Sequence, residues 1–366
     1  MTTGLSPVLP VRRGRSAAAT SRLASLDGLR ALSIVAVILG HLAGTQGFPA
    51  PIGRLLRNQY IDPAGFGVRV FFVISGFLIT GLLIGEADRN GRISLTQFYL
   101  RRTLRIMPAF FAFLGVVTTL VMMGILVVAP GDLWHAATYT MNYAPNRGHN
   151  LGHIWSLSVE EQFYLLWPAV VYWASRGHTK RTAVAVVCLV PLVRIVEAML
   201  WNDWLPMIGT TFETTADCLA IGCVLALYRD ELMTYGWYRR AIGSPWIPLV
   251  VILAGLGFAQ RFRPGILIGY SLMNIGIALF IDRYVRWSTG RVGNVLNARP
   301  LVYVGTLSYS IYLWQQLFLN RESNAIATMF PLNIVLTASL AWLSYALVET
   351  PILARRAVVA RWLRVS

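Results

Sequence analysis

Charged residues are scarce in this 366-residue chain, at 13% of the total. Soluble domains carry about 25%, because charged side chains keep a folded surface in contact with water. Acidic residues are the scarcer sign, with 16 Asp and Glu against 32 Lys and Arg. A basic balance can indicate nucleic-acid binding, but these arginines stand between long apolar runs and not in clustered patches. The composition therefore excludes an ordinary soluble domain and predicts an integral membrane protein with no nucleic-acid partner.

Cysteines and metal-binding spacings are equally sparse. Cys188, Cys218 and Cys223 lie in apolar stretches, which is typical of buried, inert thiols. Three cysteines are too few for a disulfide framework. The sequence contains no CxxC, HExxH, GxGxxG or Walker-type loop. We therefore expect no metal site, and the chain is neither a typical metalloprotease nor a typical ATP-driven pump.

Apolar runs fill most of the chain, of which 56% is hydrophobic. A helix needs roughly 20 mostly apolar residues to cross about 30 Å of hydrocarbon. On that basis we predict an all-α integral membrane protein with about ten transmembrane helices. The predicted spans run near residues 28–46, 66–85, 109–129, 154–175, 183–201, 214–228, 244–260, 265–281, 301–320 and 330–348.

The arginines between these spans predict their orientation, because Lys and Arg are retained on the cytoplasmic side. Alternate loops and both tails hold twenty-three of the cations, and the opposite loops hold six. Both termini are therefore predicted to be cytoplasmic. We expect a disordered basic tail over 1–22, a transmembrane domain over 23–353 and a short basic tail over 354–366. The first span is expected to be retained as a signal anchor.

The first span carries ionisable residues, which are costly in a bilayer and are therefore candidates for function. Arg30 and His41 are eleven residues apart, which places them on one helix face about 16 Å apart. Asp27 lies three residues before Arg30, on the same face. These residues predict a water-accessible cavity with a cation near its mouth and a base deeper inside. The structural alternative is an interfacial Asp27–Arg30 ion pair and a packing histidine.

A polar stripe marks one face of the fourth span. It consists of His153, Ser156, Glu160 and Tyr164. Such a stripe must face water or other polar groups, and His41 on another helix is an obvious partner. The alternative is a structural hydrogen-bond network that ties helices together.

Three arginines, Arg101, Arg102 and Arg105, crowd the cytoplasmic end of the third span. Arginine forks match phosphate geometry, so these residues are candidate phosphate ligands. Ordinary contacts with lipid headgroups are the alternative.

Other polar residues inside spans are expected to be structural. Arg194 and Glu197, three residues apart, are predicted to pair with each other, and Asp217 is expected to partner an arginine. Ser75 and Gly76 are expected to allow close helix approach and to have no chemical role.

Six segments, taken in order, resemble the acyltransferase 3 family of bacterial membrane acyltransferases, and together they cover nearly the whole chain. They are LDGLRALSIVAVILGH, GVRVFFVISGFLIT, RRTLRIMP, HIWSLSVEEQFYLLWP, VGTLSYSIYLWQQ and SYALVETP. The resemblance implies a multi-pass enzyme of a bacterial cytoplasmic (inner) membrane. Such an enzyme moves an acyl group, most often acetyl, to a hydroxyl of a sugar or glycosylated acceptor. Its donor co-substrate would be acetyl-CoA or another acyl-CoA, with no tightly bound cofactor; the oligomeric state is left open.

Carried over residue by residue, the resemblance assigns catalysis to Arg30 and His41, with His41 as the base. A carboxylate, Glu160 or Asp27, is expected to orient the imidazole or to stabilise the imidazolium. Direct transfer and a relay through an acylated His41 are both open.

The resemblance also assigns binding residues. The CoA phosphates are expected at Arg102 and Arg105, together with the neighbouring Arg101. The residues expected to line the shared cavity are His153, Trp155, Ser156, Tyr164, Ser308 and Tyr309.

The chain departs from the family's pattern at Gln315, where many members have a histidine after YLW. A neutral amide cannot act as a base there. Some members carry a C-terminal hydrolase-like domain, and we expect the stand-alone form here. The alternative function is a multi-span transporter or flippase for a glycan or lipid-linked substrate, because intramembrane Arg, His and Glu also fit proton coupling.

Overall fold

The computed structural model describes residues 15–58, 62–200, 207–261 and 263–355, which form helices and connecting loops without a strand. The α-helices are α1 (Arg15–Leu42), α2 (Ala50–Leu56), α3 (Pro63–Asn90), α4 (Leu95–Met122), α5 (Asp132–Ala137), α6 (His149–Gly152), α7 (Ile154–Trp173), α8 (Arg176–Leu200), α9 (Phe212–Leu232), α10 (Gly236–Gly243), α11 (Trp246–Arg261), α12 (Arg263–Arg286), α13 (Arg291–Leu296), α14 (Arg299–Trp314) and α15 (Leu332–Ser344). Short 3₁₀ turns span Met141–Tyr143, Gln315–Leu317 and Ile326–Thr328, and a π-helical turn spans Tyr345–Glu349.

Each of the ten predicted spans overlaps one long helix, so the all-helical prediction is confirmed for the described residues. Five helical segments there are long and apolar enough to cross a membrane. They are Ala24–Leu42, Pro63–Asn90, Leu95–Met122, Arg176–Leu200 and Leu332–Arg355. A sixth is added if α10 and α11, which meet at 86°, form one broken span. The count of ten spans and the orientation stay predictions.

The predicted tails lie largely outside the described residues, which begin at 15 and end at 355. α1 begins at Arg15, inside the segment that was expected to be a disordered tail.

Helix ends follow local hydrogen bonding. The Asp62 carboxylate accepts a hydrogen bond from the Gly65 backbone N–H at 2.9 Å and caps α3. Ser94 caps α4 in the same way through the Gln97 N–H. Short polar side chains at these positions satisfy backbone donors that the helix itself leaves free.

The bundle is organised around α1 and α3. α1 packs against α3 and α14, α3 packs against α9, and α8 and α12 complete the packing around α9. Two glycines allow α3 and α9 to touch: a Cβ at Gly76 would lie 1.9 Å from the Leu219 carbonyl oxygen, and one at Gly222 would lie 2.2 Å from the Val73 oxygen. The expected close helix approach at Gly76 is confirmed, since small residues permit backbone contact.

Large apolar side chains face outward along the long helices. Met122 is 84% exposed and Met199 is 80% exposed, and Leu166, Trp173 and Val250 are exposed as well. A surface of this kind is favourable in hydrocarbon and unfavourable in water. The exposed apolar surface therefore agrees with a membrane protein.

A buried polar centre lies between α8, α9 and α12. Arg194 and Asp217 form an ion pair in which both side chains are fully buried, and Ser271 donates a hydrogen bond to the same carboxylate at 2.7 Å. The predicted Arg194–Glu197 pair is therefore wrong, whereas the expected arginine partner of Asp217 is found. Arg194 pairs with Asp217 on a neighbouring helix and not with Glu197, because its side chain points into the bundle. There the Asp217 carboxylate offsets the cost of burying the arginine charge.

Candidate active site

A cavity with a volume of about 430 Å³ lies among α1, α3, α4, α7 and α14. This volume falls within the usual range for small-molecule sites, about 300–1,000 Å³. Leucine, isoleucine, valine and phenylalanine side chains form much of its wall. The predicted site residues that line it are Asp27, Arg30, Arg102, Arg105, Ser156, Glu160, Tyr164, Ser308 and Tyr309. Nine predicted residues from four separated segments thus meet at one cavity.

Three arginines, Arg30, Arg102 and Arg105, stand at this cavity. Arg30 pairs with the Asp27 carboxylate at 3.5 Å. The Arg102 guanidinium stacks on the Tyr164 ring, 3.4 Å from its centre, and the Arg102 Nε atom is buried without a partner. Neither Arg102 nor Arg105 forms an ion pair with a described carboxylate. Their charges are therefore free to bind an anionic ligand such as a phosphate.

The polar stripe of α7 forms a hydrogen-bond network beside these arginines. The Tyr164 hydroxyl donates to Glu160 Oε1 at 2.7 Å, and the Ser75 hydroxyl donates to the same oxygen. The purely packing role expected for Ser75 is therefore wrong, since its hydroxyl lines the cavity. Glu160 is held by these two donors and by no contact with a histidine.

The cavity ends at Ser156 and Tyr312. Their hydroxyl groups lie 2.5 Å apart, and the Tyr312 hydroxyl also donates to the His153 carbonyl oxygen at 3.0 Å. The His153 ring lies beyond this pair, where its Nε2 atom donates to the Leu313 carbonyl at 3.1 Å. Trp155 packs edge-on against Phe72. His153 and Trp155, both expected in the cavity, do not line it.

His41 lies in the last turn of α1 and is not among the residues that line the cavity. Its Nδ1 atom is 2.9 Å from Gln315 Oε1, and the Gln315 side chain is fully buried. An amide oxygen only accepts, so Nδ1–H donates and the Nε2 lone pair is left for chemistry. The expectation that Glu160 or Asp27 orients this imidazole is therefore wrong. Glu160 bonds to Ser75 and Asp27 to Arg30, while an amide holds His41.

Arg101 points away from the cavity. Its Nη2 atom donates to Glu86 Oε2 at 3.0 Å, and half of the side chain is exposed. Arg101 lies about 40° from Arg105 around the helix, so its pairing with Glu86, and not helical position alone, directs its side chain away from the cavity. Of the three expected phosphate ligands, only Arg102 and Arg105 share the cavity.

Sequence reasoning did not assign four residues of this region to the site: Ser75, Glu161, Tyr312 and Gln315. Glu161 lines the cavity beside the predicted stripe, so the polar face of α7 is wider than four residues indicated. Tyr312 follows the predicted Ser308 by one helical turn, a spacing that could have identified it. Nothing in the sequence alone pairs Gln315 with His41, because 274 residues separate them.

No group of three or more His, Cys, Asp or Glu side chains among the described residues is arranged to hold a metal ion. The cavity presents arginines, carboxylates and hydroxyl groups, and an imidazole lies outside its lining. These features define a helical membrane protein that combines a cavity lined by three arginines with a histidine whose Nδ1 atom faces an amide oxygen.

The chain belongs to the acyltransferase 3 family: the family model described as an acyltransferase domain matches residues 23–348. O-acetyltransferase OatA of Staphylococcus aureus (strain NCTC 8325 / PS 47) is 28% identical over 363 residues, covering 90% of this chain and 57% of the relative. Peptidoglycan O-acetyltransferase OatA of Listeria monocytogenes is 28% identical over 371 residues, covering 90% and 55%. The putative peptidoglycan O-acetyltransferase YrhL of Bacillus subtilis is 26% identical over 369 residues, covering 89% and 54%.

The chain thus spans about half the length of the curated relatives it matches. No solved structure matches it.

Proposed function

We propose that this protein is a multi-pass O-acyltransferase of a bacterial inner membrane, with ten spans and both termini in the cytoplasm. It moves an acetyl group from acetyl-CoA to a hydroxyl of a carbohydrate acceptor, with peptidoglycan as the first acceptor to test. Membership of the acyltransferase family supports the reaction class, and the printed names of the relatives support a glycan acceptor. The observation that carries the proposal is the single cavity shared by Arg30, Arg102 and Arg105.

The donor occupies this cavity. Its phosphates bind Arg102 and Arg105, and Arg30 contributes a third charge once it exchanges Asp27 for a phosphate oxygen. The Arg30–Asp27 distance of 3.5 Å is consistent with a weak pair that a better anion can displace. On the proposed orientation, this end of the bundle faces the cytoplasm, where acyl-CoA is made.

The thioester arm extends from the arginines along α7 towards Ser156 and Tyr312. The apolar walls suit an aliphatic arm, and hydroxyl groups along it can bind its amides. His41 lies outside the lining that ends at Ser156 and Tyr312, so these hydrogen-bonded side chains are expected to part before a thioester reaches it. The Nε2 lone pair of His41 then either attacks the thioester or removes a proton from the acceptor hydroxyl. Both routes require the tautomer that Gln315 stabilises.

The test measures release of free CoA by the purified protein in lipid nanodiscs, with acetyl-CoA and soluble peptidoglycan fragments. We expect the wild type to release CoA and to form acetyl esters on the fragments. His41→Ala should lose transfer by about 10²–10⁴-fold, the usual contribution of such a group. His178→Ala is the matched control, because His178 is exposed and bonds only locally to Ser175.

A wild-type protein that leaves acetyl-CoA intact with every fragment would contradict the proposal and would favour a transporter. CoA release with equal rates for wild type and His41→Ala would keep the reaction but remove His41 from it.

A further inference from the structure

Buried polar atoms without a partner concentrate outside the cavity lining, past Ser156 and Tyr312. The outer polar cluster consists of His41, His149, His153, Gln315 and Gln316. α6, which carries His149, packs against the 3₁₀ turn that begins at Gln315. The buried atoms that lack a partner there are His149 Nε2, His153 Nδ1, Gln315 Nε2 and Gln316 Oε1. A buried polar atom without a partner is unfavourable, so the cluster points to a polar group that binds among these atoms during the reaction.

His149 has no role in the function proposed above. It is half-buried, and the backbone of Leu319 supports its ring by a hydrogen bond. The charged or titratable groups that face it are His41 from α1, His153 at the start of α7, and Arg321 and Glu322 from the loop after the 3₁₀ turn. Burial, and then the proximity of His41, lower the pKa of His149 from its ordinary value of 6.5. The imidazole is therefore neutral at pH 7 and can accept a proton.

We propose that His149 Nε2 is the general base that takes the proton of the acceptor hydroxyl while His41 carries the acyl group. This inference rests on the proposed function and deepens it, because it assigns the second half-reaction to a residue that the first does not need.

A second base is required for a chemical reason. In an acylated His41, Nε2 holds the acyl group and Nδ1–H is donated to Gln315. No lone pair is left on that ring to receive a proton. His149 lies on α6 and is not part of the cavity lining. It can therefore accept a proton on the side of His41 that faces away from the donor.

The two half-reactions balance without an added reagent. First, the His41 Nε2 lone pair attacks the thioester carbon and the C–S bond breaks. The CoA thiolate then takes a proton from cytoplasmic water, because a thiol with an ordinary pKa of about 8.5 is protonated at pH 7. Second, the acceptor oxygen attacks the acyl carbon as its proton moves to His149 Nε2. The C–N bond breaks, its electron pair returns to His41, and His149 releases the proton to water on the outer side.

The experiment follows each half-reaction with acetyl-CoA labelled in the acetyl group and the full chain in nanodiscs. Rapid quenching and mass spectrometry measure acetyl on His41, a thiol reagent measures CoA release, and chromatography measures acetyl on peptidoglycan fragments. The variants are His149→Gln, which keeps a polar side chain, and His178→Gln as the matched control.

We expect His149→Gln to release about one equivalent of CoA and to accumulate acetyl on His41, while transfer to the fragments falls by about 10²-fold or more. His178→Gln should match the wild type. In the wild type, the rate at which acetyl leaves His41 should fall only when the pH drops below the ordinary pKa range of histidine. The reason is that His149 must be neutral to accept the proton, and its pKa is lowered.

Three outcomes would overturn the inference. The His149→Gln variant could transfer acetyl at the wild-type rate, or it could lose CoA release while still binding acetyl-CoA. The third outcome is a wild type that transfers acetyl without ever carrying it on His41. The proposed function fails in a different way, when the wild type releases no CoA at all. An acetylated wild type that peptidoglycan fragments do not discharge would show that the acceptor is wrong; discharge to water then provides the comparison between the variants.

Discussion

At the scale of single residues, the contact between His41 and Gln315 determines which tautomer the imidazole adopts. A carboxylate in this position would stabilise an imidazolium, as it does in hydrolytic triads. An amide oxygen instead fixes the tautomer and adds no charge. A neutral partner favours an imidazole that reacts as a nucleophile and returns to neutrality, which agrees with a relay through His41.

This contact gives a prediction for Gln315 as a positioning residue. Gln315→Leu removes the acceptor for Nδ1–H, so the ring can turn and adopt the other tautomer. We expect kcat to fall by about 10–100-fold, the usual effect of losing an orienting partner, while the KM for acetyl-CoA stays unchanged. Steady-state kinetics measure both values.

Gln315→Glu supplies the rescue, because its carboxylate oxygen can replace the amide oxygen at a similar position. We expect it to restore most of the activity lost in Gln315→Leu and to change the pH profile. A fall in kcat that is the same for both variants would show that Gln315 acts only through packing.

At the scale of elements, the site depends on how closely the helices approach. α3 supplies Ser75 to the cavity, and Gly76 next to it permits contact with α9. Hydropathy predicted both helices well, because each is long and apolar. It could not predict that Ser75 bonds to Glu160, since 85 residues separate them and the contact depends on the arrangement of two helices.

The packing of α3 against α9 can be tested with glycine variants. A Cβ in Gly76→Ala would lie 1.9 Å from the Leu219 carbonyl oxygen, so the two helices must separate. We expect the free energy of unfolding to fall by about 1–3 kcal/mol, which is typical of overpacking. The variant should therefore unfold at a lower temperature in detergent. Gly81→Ala on the same helix has no atom within 4 Å and is the matched control.

Gly81→Ala should be neutral or slightly stabilising, because alanine favours the helix. Equal thermal unfolding of the two variants would contradict the close packing of α3 and α9.

At the scale of the whole molecule, the proposed function needs two opposite faces. The cavity with its arginines lies near the start of the apolar segment Ala24–Leu42 of α1, and His41 lies near the end of that segment, with the outer polar cluster around it. Sequence reasoning predicted many of the residues that meet at the cavity, because arginines and a periodic stripe are visible in one helix at a time. It named three members of the outer cluster, His41, His153 and Gln315, but not the contacts that join α1, α6 and the turn after α14.

Accessibility of single cysteines tests the two faces. With the exposed Cys188 changed to alanine, Arg92→Cys lies in the loop between α3 and α4, and Glu322→Cys lies in the loop near His149; both positions are exposed. We expect a membrane-impermeant maleimide to label Glu322→Cys in spheroplasts and Arg92→Cys only in inverted vesicles. Labelling of both from the same side would contradict the orientation.

The central claim is that the cavity binds acetyl-CoA through Arg102 and Arg105. Titration of acetyl-CoA into purified protein, followed by calorimetry, tests it most directly. Wild type and Arg101→Ala should bind alike, because Arg101 points away from the cavity to Glu86. Arg102→Ala/Arg105→Ala should bind about 10²–10⁴-fold more weakly, since hydrogen bonds to charged groups contribute about 1.5–3 kcal/mol each and the variant loses two. Equal affinities for all three proteins, or an Arg101→Ala defect as large as that of the double variant, would contradict the claim.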